Sequence, residues 1–177
     1  MDLKEKKLES TTLYEGKIID VYKDKVLCPN GHISYREYIK HCKASCVIAK
    51  KDNGNYILEK QYRYPYDEVI IEFPAGKCDL NEDPEVTAIR ELEEETGCIA
   101  DEIYVIQKFY ADPGCCDNAS YICVAKNPKQ VKELSLDEDE FLECLKIPLD
   151  KAYEMINNGE LNDCVSLISL LKLKNLK

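Results

Sequence analysis

The chain has 177 residues, 45% of them hydrophobic and 33% charged, with a formal net charge of −10. That length fits one domain with a real core, and the composition is that of a soluble globular protein. The acidic balance, with no basic run, argues against nucleic-acid binding, which needs a cationic surface to displace counterions from phosphates; no apolar run reaches the ~20 residues that span a bilayer.

The first ten residues, MDLKEKKLES, are charged and lack the apolar stretch of a signal peptide, so a cytoplasmic location is expected. The ten cysteines are scattered and form no C-x-x-C, and His32 and His41 are not spaced as finger ligands. No structural zinc site is expected. Most cysteines lie in apolar runs such as KASCVIA and YICVAK and read as small buried hydrophobes, not as a disulfide framework.

In chain order, residues 17–27, KIIDVYKDKVL, read as a strand. Pro29-Asn30-Gly31 signals a turn, and ISYREYIKH returns as a second strand. Residues 44–62, ASCVIAKKDNGNYILEKQY, read as a hairpin about Asp52-Asn53-Gly54. EVIIEFPAG, residues 68–76, is strand-like up to Pro74. A helix follows, with Asp83 as N-cap, Pro84 in the first turn and Gly97 as C-cap. Strands near 103–110 and 119–126 flank the loop ADPGCCDNA. An acidic stretch, LSLDEDE at 134–140, precedes a strand near 141–147 and helices near 149–157 and 162–174. In the last of these, Val165, Ile168 and Leu171 recur at helical spacing, which points to core packing. The sum is an α/β (α+β) chain, a sandwich with a mixed sheet between helices.

The helix over 84–97 carries an unusual charge pattern. On a wheel, Val86, Ile89 and Leu92 form an apolar stripe, and Glu91, Glu94 and Glu95 fall on the far side. Glu93 lands near the edge of the stripe, with no role that spacing assigns. An acidic helix is ordinarily a solvated face. Here, however, Arg90 is the only cation across residues 78–107, so the carboxylates lack compensation unless a cation binds them. Oxygen-only ligands suit Mg²⁺ or Mn²⁺. Mg²⁺ commonly takes one or two carboxylates plus substrate phosphates, which points to a phosphate-ester or pyrophosphate substrate.

Residues 76–98, GKCDLNEDPEVTAIRELEEETGC, resemble the Nudix box. All seven fixed positions match: Gly76, Glu82, Arg90, Glu91, Glu94, Glu95 and Gly97. Cys98 stands where an aliphatic is usual. The resemblance implies a Nudix-type α/β/α sandwich and a nucleoside-diphosphate-X hydrolase using Mg²⁺ or Mn²⁺. It places Glu91, Glu94 and Glu95 at metal-ligand positions, adds the carbonyl of Ala75, and gives Glu82 and Arg90 a bracing role.

LYEGKIIDVYKDKV, KQYRYP, IEFPAGK and FYADPG are similar to the ADP-ribose (ADP-sugar) pyrophosphatase branch of that family, although GDP-mannose hydrolases share several of these motifs. Pro113, 15 residues after the box, is typical of the branch. This likeness implies substrate contacts from Arg63, whose fork suits phosphate oxygens, and from Glu72, Arg36 and Pro113. Tyr22, Tyr35 and Tyr38 are candidates to stack on the base. Glu94 and Glu95 join in catalysis, with Glu140 as general base and Glu138 or Asp139 as alternatives in a neighbouring register.

The branch also implies a homodimer. Residues 1–41 would be an antiparallel N-terminal strand region used for dimerisation, and 42–177 the Nudix domain. The expected substrate is a nucleoside diphosphate sugar, ADP-ribose first, cleaved to AMP and ribose 5-phosphate. The alternatives are GDP-mannose or another nucleotide sugar, or a non-catalytic ADP-ribose sensor. A Ca²⁺-binding protein ranks last, because the D-x-D-x-D-G loop is missing.

Overall fold

The computed structural model describes residues 2–136 and 138–175. Position 137, inside the acidic stretch expected to carry the general base, lies outside the described residues. The chain divides into two compact units: residues up to Cys42 with Tyr110–Ala119, and Lys43–Phe109 with Ser120 onward.

The first unit is an antiparallel sheet of β1 (Lys6–Glu15), β2 (Asp20–Leu27) and β3 (Ile33–Lys40), in that order. The turn at Pro29-Asn30-Gly31 forms as expected. Gly31 has φ +83°, and the Cys28 N–H donates to the His32 carbonyl at 2.8 Å. The strand expected from 17 begins only at Asp20, because Gly16–Ile19 is spent on a turn closed by the Gly16 N–H on the Ile19 carbonyl. β1 falls within the expected N-terminal strand region, but no separate strand was expected at its place. All ten of its residues are exposed, and its register shifts twice, so it buries no face whose alternation would announce it. Residues 110–119 dock on β3 through Ile39 N–H to Cys115 O at 2.8 Å and Asp117 N–H to Ile39 O at 3.1 Å.

The second unit contains β4 (Ala44–Ala49), β5 (Asn55–Arg63), β6 (Glu68–Glu72), β7 (Ala75–Lys77), α1 (Pro84–Thr96), β8 (Cys98–Ile99), β9 (Glu102–Phe109), β10 (Ser120–Lys126), β11 (Lys129–Gln130), β12 (Leu142–Pro148), α2 (Leu149–Asn157) and α3 (Cys164–Asn175). Its sheets run β7-β4-β10-β9, β12-β5-β6 and β11-β8. Only β4 and β10 pair in parallel, so the sheet is mixed. The turn at 52–54 forms, with Gly54 at φ +86°, but the hairpin expected around it does not continue. Past the bridge Lys50↔Tyr56 the strands part, β4 to β10 and β5 to β6 and β12.

Both faces of these strands are buried. Cys46, Ile48, Tyr56 and Leu58 pack with residues of α2 and α3. Val47, Ala49 and Ile57 pack with Ala88 and Leu92 of α1. Period-two alternation thus feeds two cores, one on each side, and gives the α/β/α sandwich. In α3, Val165 and Ile168 pack on the core, but Leu171 is exposed and Leu170 is buried in its place. Four cysteines are buried, and among the described residues no disulfide forms. Among the described residues, no helix is long and apolar enough to cross a membrane.

Candidate active site

The site grows from α1 and the loop that leads into it. Asp83 holds the N-cap position in extended conformation and Pro84 opens the helix, although the Asp83 side chain makes no capping bond. Gly97 ends the helix at φ +64°, its N–H on the Glu93 carbonyl at 3.0 Å.

The helix faces the other way from the wheel's expectation. Val86 and Ile89 are 51% and 50% exposed, while Thr87, Ala88, Glu91, Leu92, Glu95 and Thr96 are buried. The inward stripe is therefore 88-91-92-95, an i, i+3, i+4, i+7 set of which two members are glutamates. Counting apolar residues alone picks the wrong face, because the carboxylates are turned inward.

Arg90 ties the box together. Its Nη1 donates to Glu91 Oε1 at 2.8 Å and Glu94 Oε2 at 3.1 Å. Its Nη2 donates to the Lys77 carbonyl at 3.1 Å and lies 3.6 Å from Glu82 Oε2. Glu82 in turn accepts from the Asp79 N–H at 3.0 Å and the Thr87 hydroxyl at 2.8 Å, which hold its carboxyl below the usual range. The brace between Glu82 and Arg90 is present, and Arg90 does more than brace. Gly76 fits the same design, because a Cβ there would stand 1.6 Å from Glu91 Oε1. Ala75, just before it, opens β7 opposite Cys46.

Behind this loop lies a group of acids with too few partners. Glu95 is 1% exposed, and its Oε2 has no hydrogen bond. Burial first, then the charge of Glu59, pushes its carboxyl well above the usual range. Burial also raises Glu91, against the pull of Arg90. Glu72 is pushed up to about 7 by burial, opposed by Arg63. Arg63 grips Glu72 Oε1 through Nε at 2.8 Å and Nη2 at 2.7 Å. Glu140 is half-buried and accepts a long bond from Gln61 Nε2 at 3.4 Å. Its charge is felt at Glu59, Glu91 and Glu95, whereas Glu138 and Asp139 are exposed.

Glu59 is the member that the sequence reading missed. It is fully buried in β5, and neither carboxylate oxygen has a partner. Its signal was available: an acid two residues after Ile57 in an apolar run, in phase with the face that packs on α1.

Arg36 and Pro113 lie in the first unit. With Tyr38, Gly114, Cys115, Cys116 and Asp117 they line a cavity of about 270 Å³. Arg36 is held by Glu5 (Nε to Oε2 3.0 Å) and by Ser34 at 3.1 Å. Tyr22 stacks on Tyr38, ring centres 5.6 Å apart, so of the three candidate tyrosines Tyr38 is the one on the cavity.

Among the described residues, no three acids, cysteines or histidines already stand gathered as metal ligands, and Glu91 and Glu94 are held by Arg90. The donor set nevertheless fits a hard divalent cation. It is all carboxylate oxygen, and the oxygens of Glu59 and one of Glu95 lack any partner.

An acid-lined loop-helix on an α/β/α sandwich is the mark of a nucleotide pyrophosphatase scaffold, and residues 40–163 match the NUDIX domain. The chain belongs to the Nudix family and is a Nudix hydrolase, a class that generally needs a divalent metal. Residues 5–39 match the nucleoside diphosphate sugar hydrolase N-terminal domain. The chain is 40% identical over 175 residues to the ADP-ribose pyrophosphatase of Bacillus subtilis (strain 168), covering 97% of this chain and 95% of that protein. It is 36% identical to the methanol dehydrogenase activator of Bacillus methanolicus, covering 94% and 90%. The fold matches a crystal structure of an ADP compounds hydrolase with TM-score 0.84 and 21% identity, over 97% of this chain and 93% of that one.

Proposed function

We propose that the chain hydrolyses the pyrophosphate bond of ADP-ribose to AMP and ribose 5-phosphate, with Mg²⁺ or Mn²⁺ as cofactor. The observation that carries this reading is the group of buried carboxylates around α1, two of which have oxygens with no partner among the described residues. The N-terminal domain match and the 40% identical relative favour a nucleoside diphosphate sugar, and ADP-ribose among these.

Glu91, Glu94, Glu95 and the Ala75 carbonyl would hold the cation. When bound, it supplies charge neutralisation at the diphosphate and acidifies the attacking water. Arg63 offers its fork to the diphosphate oxygens and shares it with Glu72. Glu140 takes the proton of the water as the oxygen attacks phosphorus and the P–O–P bond breaks. Arg36 and Pro113 are assigned to the nucleotide, in the cavity of the first unit.

Residues 1–41 are read as the dimerisation region and 42–177 as the Nudix domain. The wholly exposed β1, with Leu8, Leu13 and Tyr14 open to solvent, supports a homodimer built through that region. A reducing cytoplasm suits ten cysteines with no disulfide among the described residues.

The test is product analysis with Mg²⁺ across ADP-ribose, ADP-glucose and GDP-mannose. AMP release should be fastest from ADP-ribose. Faster cleavage of GDP-mannose would transfer the assignment to that substrate. Binding of ADP-ribose with no turnover of any of the three would make the chain a sensor.

A further inference from the structure

Glu59 has no part in the reaction outlined above, and the fold gives it no ordinary role. Along β5, Tyr56 and Leu58 enter the core beneath α2 and α3, and Ile57 enters the core beneath α1. Glu59 follows Ile57 by two residues and therefore faces α1. It stands directly opposite Glu72 on β6 and Cys144 on β12. The Cys144 thiol donates to the Glu95 carbonyl at 3.0 Å, which sets this row of side chains against the last turn of α1. Gln61 and Arg63 continue the same face of β5. The first reaches Glu140, and the second holds Glu72.

Among the described residues no hydrogen bond or ion pair compensates Glu59, and the charge of Arg63 offsets its burial only in part. Glu59 is 0% exposed, and both its oxygens lack hydrogen bonds. An acid directly across the ladder from another acid is destabilising, and a buried carboxylate with no partner more so. The cations around it are committed. Arg63 is spent on Glu72, and Arg90 on Glu82, Glu91 and Glu94. A valine or isoleucine would suit the middle of this strand better on every local count.

We propose that Glu59 belongs to the divalent-cation site, adding from the sheet a carboxylate that faces those supplied by α1. The proposal rests on the metal-dependent reading above. Two idle oxygens on Glu59 and one on Glu95, set near the carboxylates of Glu72, Glu91 and Glu140 with no cation paired to them among the described residues, call for a hard ion of the Mg²⁺ or Mn²⁺ class. The fully buried Glu59 is the ligand that the Nudix box does not contain.

The test uses the full chain without substrate and with Mn²⁺ as probe, read by calorimetry and by the paramagnetic signal of free Mn²⁺. Glu59→Gln should weaken Mn²⁺ binding by at least the ~10- to 100-fold that loss of an outer-shell partner of a ligand costs. The same variant should melt higher than wild type in EDTA. Glu59→Val, the better strand residue, guards against a glutamine that packs badly and should show the same two changes. Wild-type Mn²⁺ affinity and stoichiometry in both variants would overturn the proposal and leave the metal-dependent reading intact. A wild-type chain that binds no Mn²⁺ yet cleaves ADP-ribose in EDTA would overturn that reading, and this proposal with it.

Discussion

Asp24 and Glu59 are both acids in the middle of antiparallel strands, 4% and 0% exposed. Asp24 on β2 takes the Lys7 ammonium at 2.5 Å and the Ser10 hydroxyl at 2.6 Å, both from β1. Those two bonds, Lys7 first, hold its carboxyl below the usual range. The Glu59 side chain on β5 has no hydrogen bond among the described residues, and burial followed by the charge of Glu72 pushes it up to about 8. The first acid is a fastener: it ties β1, whose residues are all exposed, to the strand beside it. The second sits where ionising it is costly until a cation answers it. Low exposure alone does not mark a functional acid, whereas low exposure with no partner does.

The largest effect should come from Glu95, the other acid with an idle oxygen. Glu95→Gln should cut metal-dependent hydrolysis by more than ~10²-fold, beyond what losing an outer hydrogen bond to a ligand gives. Its melting temperature in EDTA should stay level or rise. A variant that lost activity and stability together would behave as a fastener and break the comparison. Gly76→Ala comes next. A Cβ 1.6 Å from Glu91 Oε1 forces the carboxylate or the loop to move, at a cost of about 1–3 kcal/mol. Activity should fall with it, because the displaced group is a proposed ligand. Full activity in this variant would show that the place of Glu91 against Gly76 does not matter to the reaction.

Asp24 supplies a smaller effect of opposite sign to Glu59. Asp24→Asn should lower the melting temperature near pH 7, where Glu59→Gln in EDTA raises it. In a chain of this size ~1 kcal/mol moves the midpoint by about 2–4 °C, so the two directions are separable. The pH dependence follows from linkage. With its folded pKa depressed, Asp24 adds stability above the unfolded carboxylate value, and that contribution is lost as pH falls through the folded one. Asp24→Asn should therefore flatten the acid side of the melting profile. An acid limb unchanged in Asp24→Asn would mean that the Lys7 and Ser10 bonds do not fasten β1.

Some of this was legible in the sequence, for identifiable reasons. α1 is bounded by Asp83, Pro84 and Gly97, local signals that need no tertiary knowledge, and the spacing of the box fixes which carboxylates neighbour Arg90. Which face of α1 turns inward was not legible. Hydrophobic counting assumes that burial follows apolarity, and here Glu91 and Glu95 occupy the buried stripe while Val86 and Ile89 are half in solvent. β1 escaped because an exposed strand carries no alternation to detect. The turn at 52–54 was legible, but the parting of β4 and β5 was not, since β4 goes to β10 and β5 also takes β12, both far along the chain. Glu59 left a signal, an acid in phase with the face of β5 that packs on α1, but one acid in a strand gains its meaning only once its missing partner is seen.

The smallest effect belongs to Glu93, a glutamate of α1 that lies beside the box carboxylates and that the site does not use. Its carboxylate meets Lys132 Nζ at 3.0 Å, with both side chains about two-fifths exposed. Such a pair gains little, because water and salt screen it and two long side chains lose freedom to form it. Lys132→Ala should change stability by less than ~1 kcal/mol and leave Mn²⁺ affinity at the wild-type value. That outcome would separate position on α1 from burial without a partner. Glu93 is two residues from Glu91 and Glu95, yet it has solvent and a lysine to answer its charge. A loss of Mn²⁺ binding in Lys132→Ala would instead mean that any acid on this helix feeds the site, and the distinction drawn between Asp24 and Glu59 would no longer identify which acids do the chemistry.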